Sequence, residues 1–350
     1  MDALKRFRSE FRGWVSVFNR TKGYNASPDE VLKRLESRMP ETKLRQIGAA
    51  FINGWLINED DPSRGYFVKE SDRKGLRGGQ WTLEPAGGSK INPCWELHVQ
   101  FADYGRLKTI AEPHGLTVRL EDRLMDITVY AGRKLLLYVE NKQRKGEALH
   151  LLEKMREYGR TGFHLDDSDI GNDPLKKAKY LVRDMAHPIY FALSAINFEK
   201  VFRVEYLKGK NRFLIHDADL TLIEPLLDAV PAGKTTSRSI IDPLALEIER
   251  LARDRIWVSL GSGKTAFNFY VPSSGGDTIV LGVYDDGRIW TDVKGLGEEK
   301  ARCLANELKS IGVKIDISKQ WTFWKKNHQA FILSDEDPVN IAKQVVAAVL

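Results

Sequence analysis

The run DITVYAGRKLLLYVENK, residues 126–142, places Asp126 and Glu140 at equal distances on either side of Arg133. Two strand-like stretches flank Ala131-Gly132-Arg133, and glycine there supplies the positive φ that a tight reversal needs. In an antiparallel hairpin centred on Arg133, Asp126 and Glu140 face each other, with Cα atoms about 4.5–5.5 Å apart. Glu140 and Lys142 are two residues apart and project on one face, whereas Asn141 points away. Two carboxylates held side by side repel unless a cation lies between them, which favours a hard divalent ion. Mg2+, with Mn2+ as its substitute, keeps several waters and accepts one or two carboxylates plus a phosphate. A lysine beside such an ion orients or activates a bound water and offsets charge building on a phosphoryl group. Acid, acid and lysine on one hairpin therefore point to phosphodiester hydrolysis.

The elements around the hairpin have to hold it. Residues 91–215 alternate helical and strand signals. Asn92-Pro93 is read as opening a helix that runs to about Glu112 before Pro113, and Glu96, Gln100 and Asp103 share one of its faces at i, i+4 and i+7. LTVRL, DITVYA and KLLLYVE read as strands, EALHLLEKMREYG as a helix, and PIYFALSAI and KVFRVEY as further strands. That order belongs to an α/β sheet domain. After Lys142 come Gln143, Arg144 and Lys145, then a helix carrying Lys154 and Tyr158. These basic and polar residues are candidates for holding a nucleic-acid backbone beside the site, with Lys154 and Tyr158 as i, i+4 neighbours facing it.

The triad resembles the PD-(D/E)xK nuclease superfamily, restriction-endonuclease-like proteins in which an aspartate on one strand precedes a (D/E)xK motif on the next. Asp126 matches the aspartate and Glu140-Asn141-Lys142 the second motif, while Met125 stands where the motif's name has proline. The resemblance covers roughly residues 91–210. It implies a mixed sheet flanked by helices and a Mg2+-dependent endodeoxyribonuclease. It further implies metal ligation by Asp126, Glu140 and the main-chain carbonyl of Asn141, and assistance to the attacking water from Lys142. Members add an acid from the first helix, for which Glu96 is the candidate. DNA is expected ahead of RNA as partner, and a homodimer is one arrangement that would cut both strands. The alternative is a non-catalytic nucleic-acid-binding or scaffold protein on the same fold. A phosphoesterase acting on small nucleotides is a further rival.

Outside that region, residues 1–90 read as a helical and loop-rich part. Leu4, Phe7, Phe11, Val15 and Phe18 mark one buried helix face. Ser27-Pro28-Asp29-Glu30 is a helix start with a capping box. Pro40 is read as closing that helix, and Leu44, Ile47, Phe51 and Leu56 as marking a third. The excess of basic residues sits here, with 17 basic against 12 acidic in a chain of net charge +6. Residues 91–223 form the expected catalytic domain, 224–241 a linker and 242–350 an α+β recognition or partner domain. The last contains the strands RIWVSL, AFNFYV, TIVLGVY, RIWTDV and QAFIL, a helix over 298–310 and a terminal helix from Pro338. Its segment WTFWKK, with Lys325 and Lys326, is a candidate nucleic-acid contact.

Several chemistries are disfavoured. Two cysteines far apart cannot form a zinc finger or a disulfide framework, so a reducing, cytoplasmic setting is expected. No stretch is apolar enough to span a membrane, and MDALKRFRSEFRGW lacks the apolar core of a secretory signal. The seven histidines show no HExxH, and no serine sits in GxSxG. GSGKT at 261–265 lacks the first glycine of a phosphate-binding loop and reads as a hairpin turn. The acidic loop around Asp166, Asp167, Asp169 and Asp173 lacks calcium-loop spacing and reads as solvated.

Overall fold

The computed structural model describes residues 2–59, 61, 67–71, 81–122, 125–183, 188–207 and 211–227. Beyond these it describes the strand residues at 257–260, 266–273, 276–284, 289–292, 314–316, 320–321 and 328–334, with residues 303, 306, 310 and 347 in isolation. Two compact units result, one running from Ala3 to Val230 and one from Pro231 to Leu350.

The first unit opens with α1 (Ala3–Lys22), α2 (Pro28–Glu36) and α3 (Glu41–Ile52). Leu4, Phe7, Phe11, Val15 and Phe18 are all buried on α1, as their spacing predicts. Ser27 caps α2 by accepting from the Glu30 amide, and Pro28 occupies its first position. Pro40 is the cap of α3 rather than the close of α2, which already ends at Glu36. Leu56 is not on α3. Gly54 adopts a φ of +69° just past the helix end, the left-handed residue that stops a helix, and Leu56 belongs to β1 (Leu56–Asn58). β1 pairs with β2 (Val68–Glu70), and β3 (Leu83–Pro85) pairs with β4 (Ile91–Pro93), so the loop-rich stretch holds two short hairpin-like pairs.

α4 (Trp95–Ala111) begins later than Asn92-Pro93 because both residues are taken up in pairing with β3. It is buried almost all round, lying between α3 and a sheet. The sheet is mixed and six-stranded, in the order β10-β9-β8-β7-β6-β5, built from β5 (Thr117–Asp122), β6 (Met125–Ala131), β7 (Lys134–Asn141), β8 (Tyr190–Ala195), β9 (Phe198–Leu207) and β10 (Arg212–Ala218). β10 is a strand that periodicity did not single out. Only β7 and β8 run parallel, and the crossover between them carries α5 (Lys145–Thr161) and α6 (Asp173–Val182). Every β7 residue from Leu135 to Asn141 is buried, because helices cover both faces of the central strand. One face packs with α5 and α6 through Tyr138, Leu151, Met155, Leu175, Phe191 and Phe202. A short helix α7 (Glu224–Leu227) follows, with Leu226 fully buried, so these residues, expected in the linker, form part of the first unit.

The hairpin between β6 and β7 pairs in two registers separated by a bulge. Ala131 pairs with Lys134, so the chain reverses through Gly132 and Arg133, and Gly132 has a φ of +60°. Continued unchanged, that pairing would set Asp126 against Val139. A bulge at Leu136 shifts it, and Ile127 pairs with Val139. Carried one step further, that register sets Asp126 opposite Glu140.

In the second unit, β11 (Trp257–Leu260), β12 (Ala266–Ser273), β13 (Gly276–Tyr284), β14 (Ile289–Asp292), β15 (Lys314–Asp316), β16 (Gln320–Trp321) and β17 (His328–Ser334) pair antiparallel. The strands expected from sequence are present. β11 and β12 flank the GSGKT segment as antiparallel neighbours, without the helix a phosphate-binding loop requires. Lys325, Lys326 and most of the helices expected over 298–310 and after Pro338 lie outside the described residues.

One buried residue of the helical layer has a measurable signature. His98 of α4 is fully buried against Phe7, Phe11 and Trp14, with Nδ1 2.8 Å from the Cys94 carbonyl. Nε2 has no hydrogen-bond partner among the described residues. Burial outweighs the hydrogen bond and pulls its pKa down to about 4. An unfolded histidine titrates near 6.5, so below that pH the unfolded chain binds the extra proton and stability falls as pH drops toward 4. The expected loss is about 3 kcal/mol across that window. Urea unfolding of wild type at pH 7 and pH 4.5, compared with His98→Leu, checks it: the acid sensitivity of the variant should be smaller by about that amount.

Candidate active site

The ends of β6 and β7 meet the first turn of α4 and the middle of α6. Glu140 is buried, and its two oxygens are divided between two ammonium groups: Oε1 lies 3.0 Å from Lys142 Nζ, and Oε2 lies 2.7 Å from Lys177 Nζ. Lys142 also reaches Glu96 Oε1 at 3.3 Å. Asp126, half-buried, accepts a 2.6 Å hydrogen bond from the Asn141 amide. The fold thus brings Asp126, Glu140 and Lys142 together, and Glu96 meets the group through Lys142. Lys142 is fixed further by its own amide, which donates to the Ser194 carbonyl of β8 at 2.8 Å.

On the α4 face shared by Glu96, Gln100 and Asp103, Glu96 is partly exposed while the other two are not. Gln100 and Asp103 are buried, and each braces the strand ends. Gln100 Nε2 donates to the Asp126 carbonyl and to Glu121 Oε1, both at 2.8 Å. Asp103 Oδ2 accepts from Asn141 Nδ2 at 2.7 Å, and its Oδ1 pairs with Lys43 of α3 at 2.8 Å. Asn141 thereby points to the α4 layer while Glu140 points to α6, the alternation expected of a strand.

Electrostatics tie the group together. Burial first, then the charge of Glu140, push the Asp126 carboxyl well above the ordinary carboxylate value, against the pull of Lys177 and Lys142. Burial also raises Glu96. For both lysines burial acts downward but the surrounding carboxylates outweigh it, so Lys142 and Lys177 are held more firmly protonated than a free lysine. Three carboxyl groups (Asp126, Glu140, Glu96) thus share two ammonium groups, and of the three only Glu140 is paired to both.

The all-oxygen donor set of Asp126 and Glu140 fits a sparse Mg2+ site. Two carboxylates suffice for an ion that keeps most of its waters. Among the described residues no group of three or more His, Cys, Asp or Glu side chains is arranged to hold a metal ion. The side-chain donors are therefore limited to Asp126 and Glu140.

The flanking residues divide. Gln143 is half-buried and Arg144 and Lys145 are exposed at the start of α5, directly after Lys142. The Arg144 amide is capped by Glu147 at 3.1 Å, and Lys145 lies over the Phe198 ring at 5.6 Å. Lys154 is about 14 Å further along the helix, exposed, and paired with Glu157 at 3.0 Å. Tyr158 does not face the carboxylates: its hydroxyl accepts from Asn172 Nδ2 at 2.7 Å, and its ring packs edge-on against Phe163.

Lys177 is the residue that sequence reasoning missed. Its signal was present in Asn172-Asp173-Pro174, a helix start in which Asn172 caps by accepting from the Leu175 amide, followed by Leu175, Ala178 and Leu181 on one buried face. Lys43 was missed for lack of any local cue. No family model, curated protein or solved structure matches the chain.

Proposed function

We propose that this chain is a metal-dependent nuclease of the restriction-endonuclease-like type, hydrolysing phosphodiester bonds, with DNA as the substrate. The observation that carries the reading is the meeting of Asp126, Glu140 and Lys142 at the ends of paired strands, with Lys142 3.0 Å from Glu140. A six-stranded mixed sheet with helices on both faces supports it. Asp126 and Glu140, with the Asn141 carbonyl that the resemblance adds, would hold Mg2+, while Glu96 pairs with Lys142. When bound, Mg2+ supplies Lewis-acid polarisation of a phosphate and a more acidic bound water. Lys142, held protonated by its carboxylate neighbours, stabilises negative charge growing on the phosphoryl group. Gln100 and the Asn141 amide keep Asp126 from turning away. Arg144 and Lys145, exposed beside the site, would grip the flanking backbone.

A second reading, a non-catalytic nucleic-acid-binding or scaffold protein, is favoured by one observation: both Glu140 oxygens already have an ammonium partner, so the cluster is largely neutralised from within. Supercoiled plasmid incubated with Mg2+ or with EDTA separates the two. Wild type is expected to nick or linearise plasmid only with Mg2+, and Lys142→Ala to be slower by about 10²-fold. Equal cleavage by both proteins would remove the assignment. Absence of cleavage of plasmid, RNA and dinucleotides by wild type would favour the second reading.

A further inference from the structure

We infer that Lys177 is a positioning residue for this site, its ammonium fixing Glu140 by Oε2 so that Oε1 is the oxygen left to Lys142 and to a bound cation. The inference rests on the nuclease reading and adds to it a residue outside the hairpin. Lys177 sits on α6, which the crossover places against α5 and behind the sheet, and its side chain is 8% exposed against 16% for Lys142. The two lysines therefore differ in role. Lys142 is at the open side, shared between Glu140 and Glu96, and is free to exchange one carboxylate for a phosphate. Lys177 is buried on α6 and has Glu140 within 2.7 Å. Burying an ammonium is costly unless it is paired, and replacing a buried pair by apolar groups is often neutral for stability. The sheet core already packs around α6, so cohesion alone does not call for a charge here.

Lys177→Met keeps length and apolar bulk but removes the charge. Two consequences pull in opposite directions. The carboxylates lose one of their two ammonium partners and attract a divalent cation more strongly, while Glu140 loses the contact that sets its orientation. Mn2+ binding measured by calorimetry without nucleic acid should therefore tighten roughly tenfold, while kcat on plasmid falls roughly 10²-fold with KM little changed. Lys177→Arg should restore kcat to within about tenfold. A Lys177→Met protein with wild-type kcat and wild-type Mn2+ affinity, altered only in melting temperature, would overturn the inference. Should Lys177→Met fail to fold, Lys177→Gln carries the same comparison. Wild type that binds Mn2+ but cleaves nothing defeats the nuclease reading alone, since the affinity change still reports on Lys177. Wild type that neither binds nor cleaves defeats both.

Discussion

Glu140→Ala is expected to lose both cleavage and stability, and the two losses have separate causes. Lys177 and Lys142 would be left beside a missing counter-charge, one of them buried. Removing one partner of a buried pair costs about 3–5 kcal/mol. The lower end applies, because the loss of Glu140 also relieves the repulsion that raises Asp126, whose charge then partly serves the lysines. Chemical unfolding should show the change. Cleavage should fall by about 10³-fold, the scale for losing a preorganised electrostatic contact. Glu140→Gln, which keeps the volume, should retain more stability yet no more activity. A variant with normal cleavage would end the proposed role of the hairpin.

Gly105→Ala carries the second large effect. Gly105 lies on α4 where α3 crosses, and an added Cβ would stand 2.6 Å from the Gln46 carbonyl oxygen and 3.2 Å from Ala50 Cβ. By helix propensity alone the change should stabilise by about 1 kcal/mol. The contact is with backbone in the middle of a buried helix, which has little room to yield, so about 3 kcal/mol of destabilisation is expected instead. The sign decides between the two effects in a thermal or urea melt. Since α4 also carries Glu96, Gln100 and Asp103, displacing it should weaken Mn2+ binding in the folded protein as well.

What the amino-acid pattern revealed follows from distance along the chain. Asp126, Glu140 and Lys142 are joined by a local hairpin, and alternation plus one glycine located the reversal. The bulge at Leu136, which no pattern marked, is what brings Asp126 level with Glu140. Glu96, Gln100 and Asp103 lie on one helix, where a 3.6-residue period was enough. Lys43 and Lys177 reach the same place from 60 residues before Asp103 and from the far side of a crossover, and no local period encodes such a meeting. α6 was hidden for a further reason: Lys176, Lys177 and Lys179 interrupt its apolar positions, so its cap was the stronger signal. The start of α4 was misplaced because Pro93, a good first residue for a helix, is also tolerated in the short edge strand β4.

The bulge at Leu136 has a bearing on how this hairpin can change over generations. Residue types at its tip can drift, since Arg133 and Lys134 are exposed and only Gly132 is bound by its dihedral angle. Their tally cannot. A single inserted or deleted residue between Tyr130 and Leu137, unless offset by another, would leave the two acids out of step and exchange the layers into which Glu140 and Asn141 project. Length, more than lettering, is what this ribbon has to preserve.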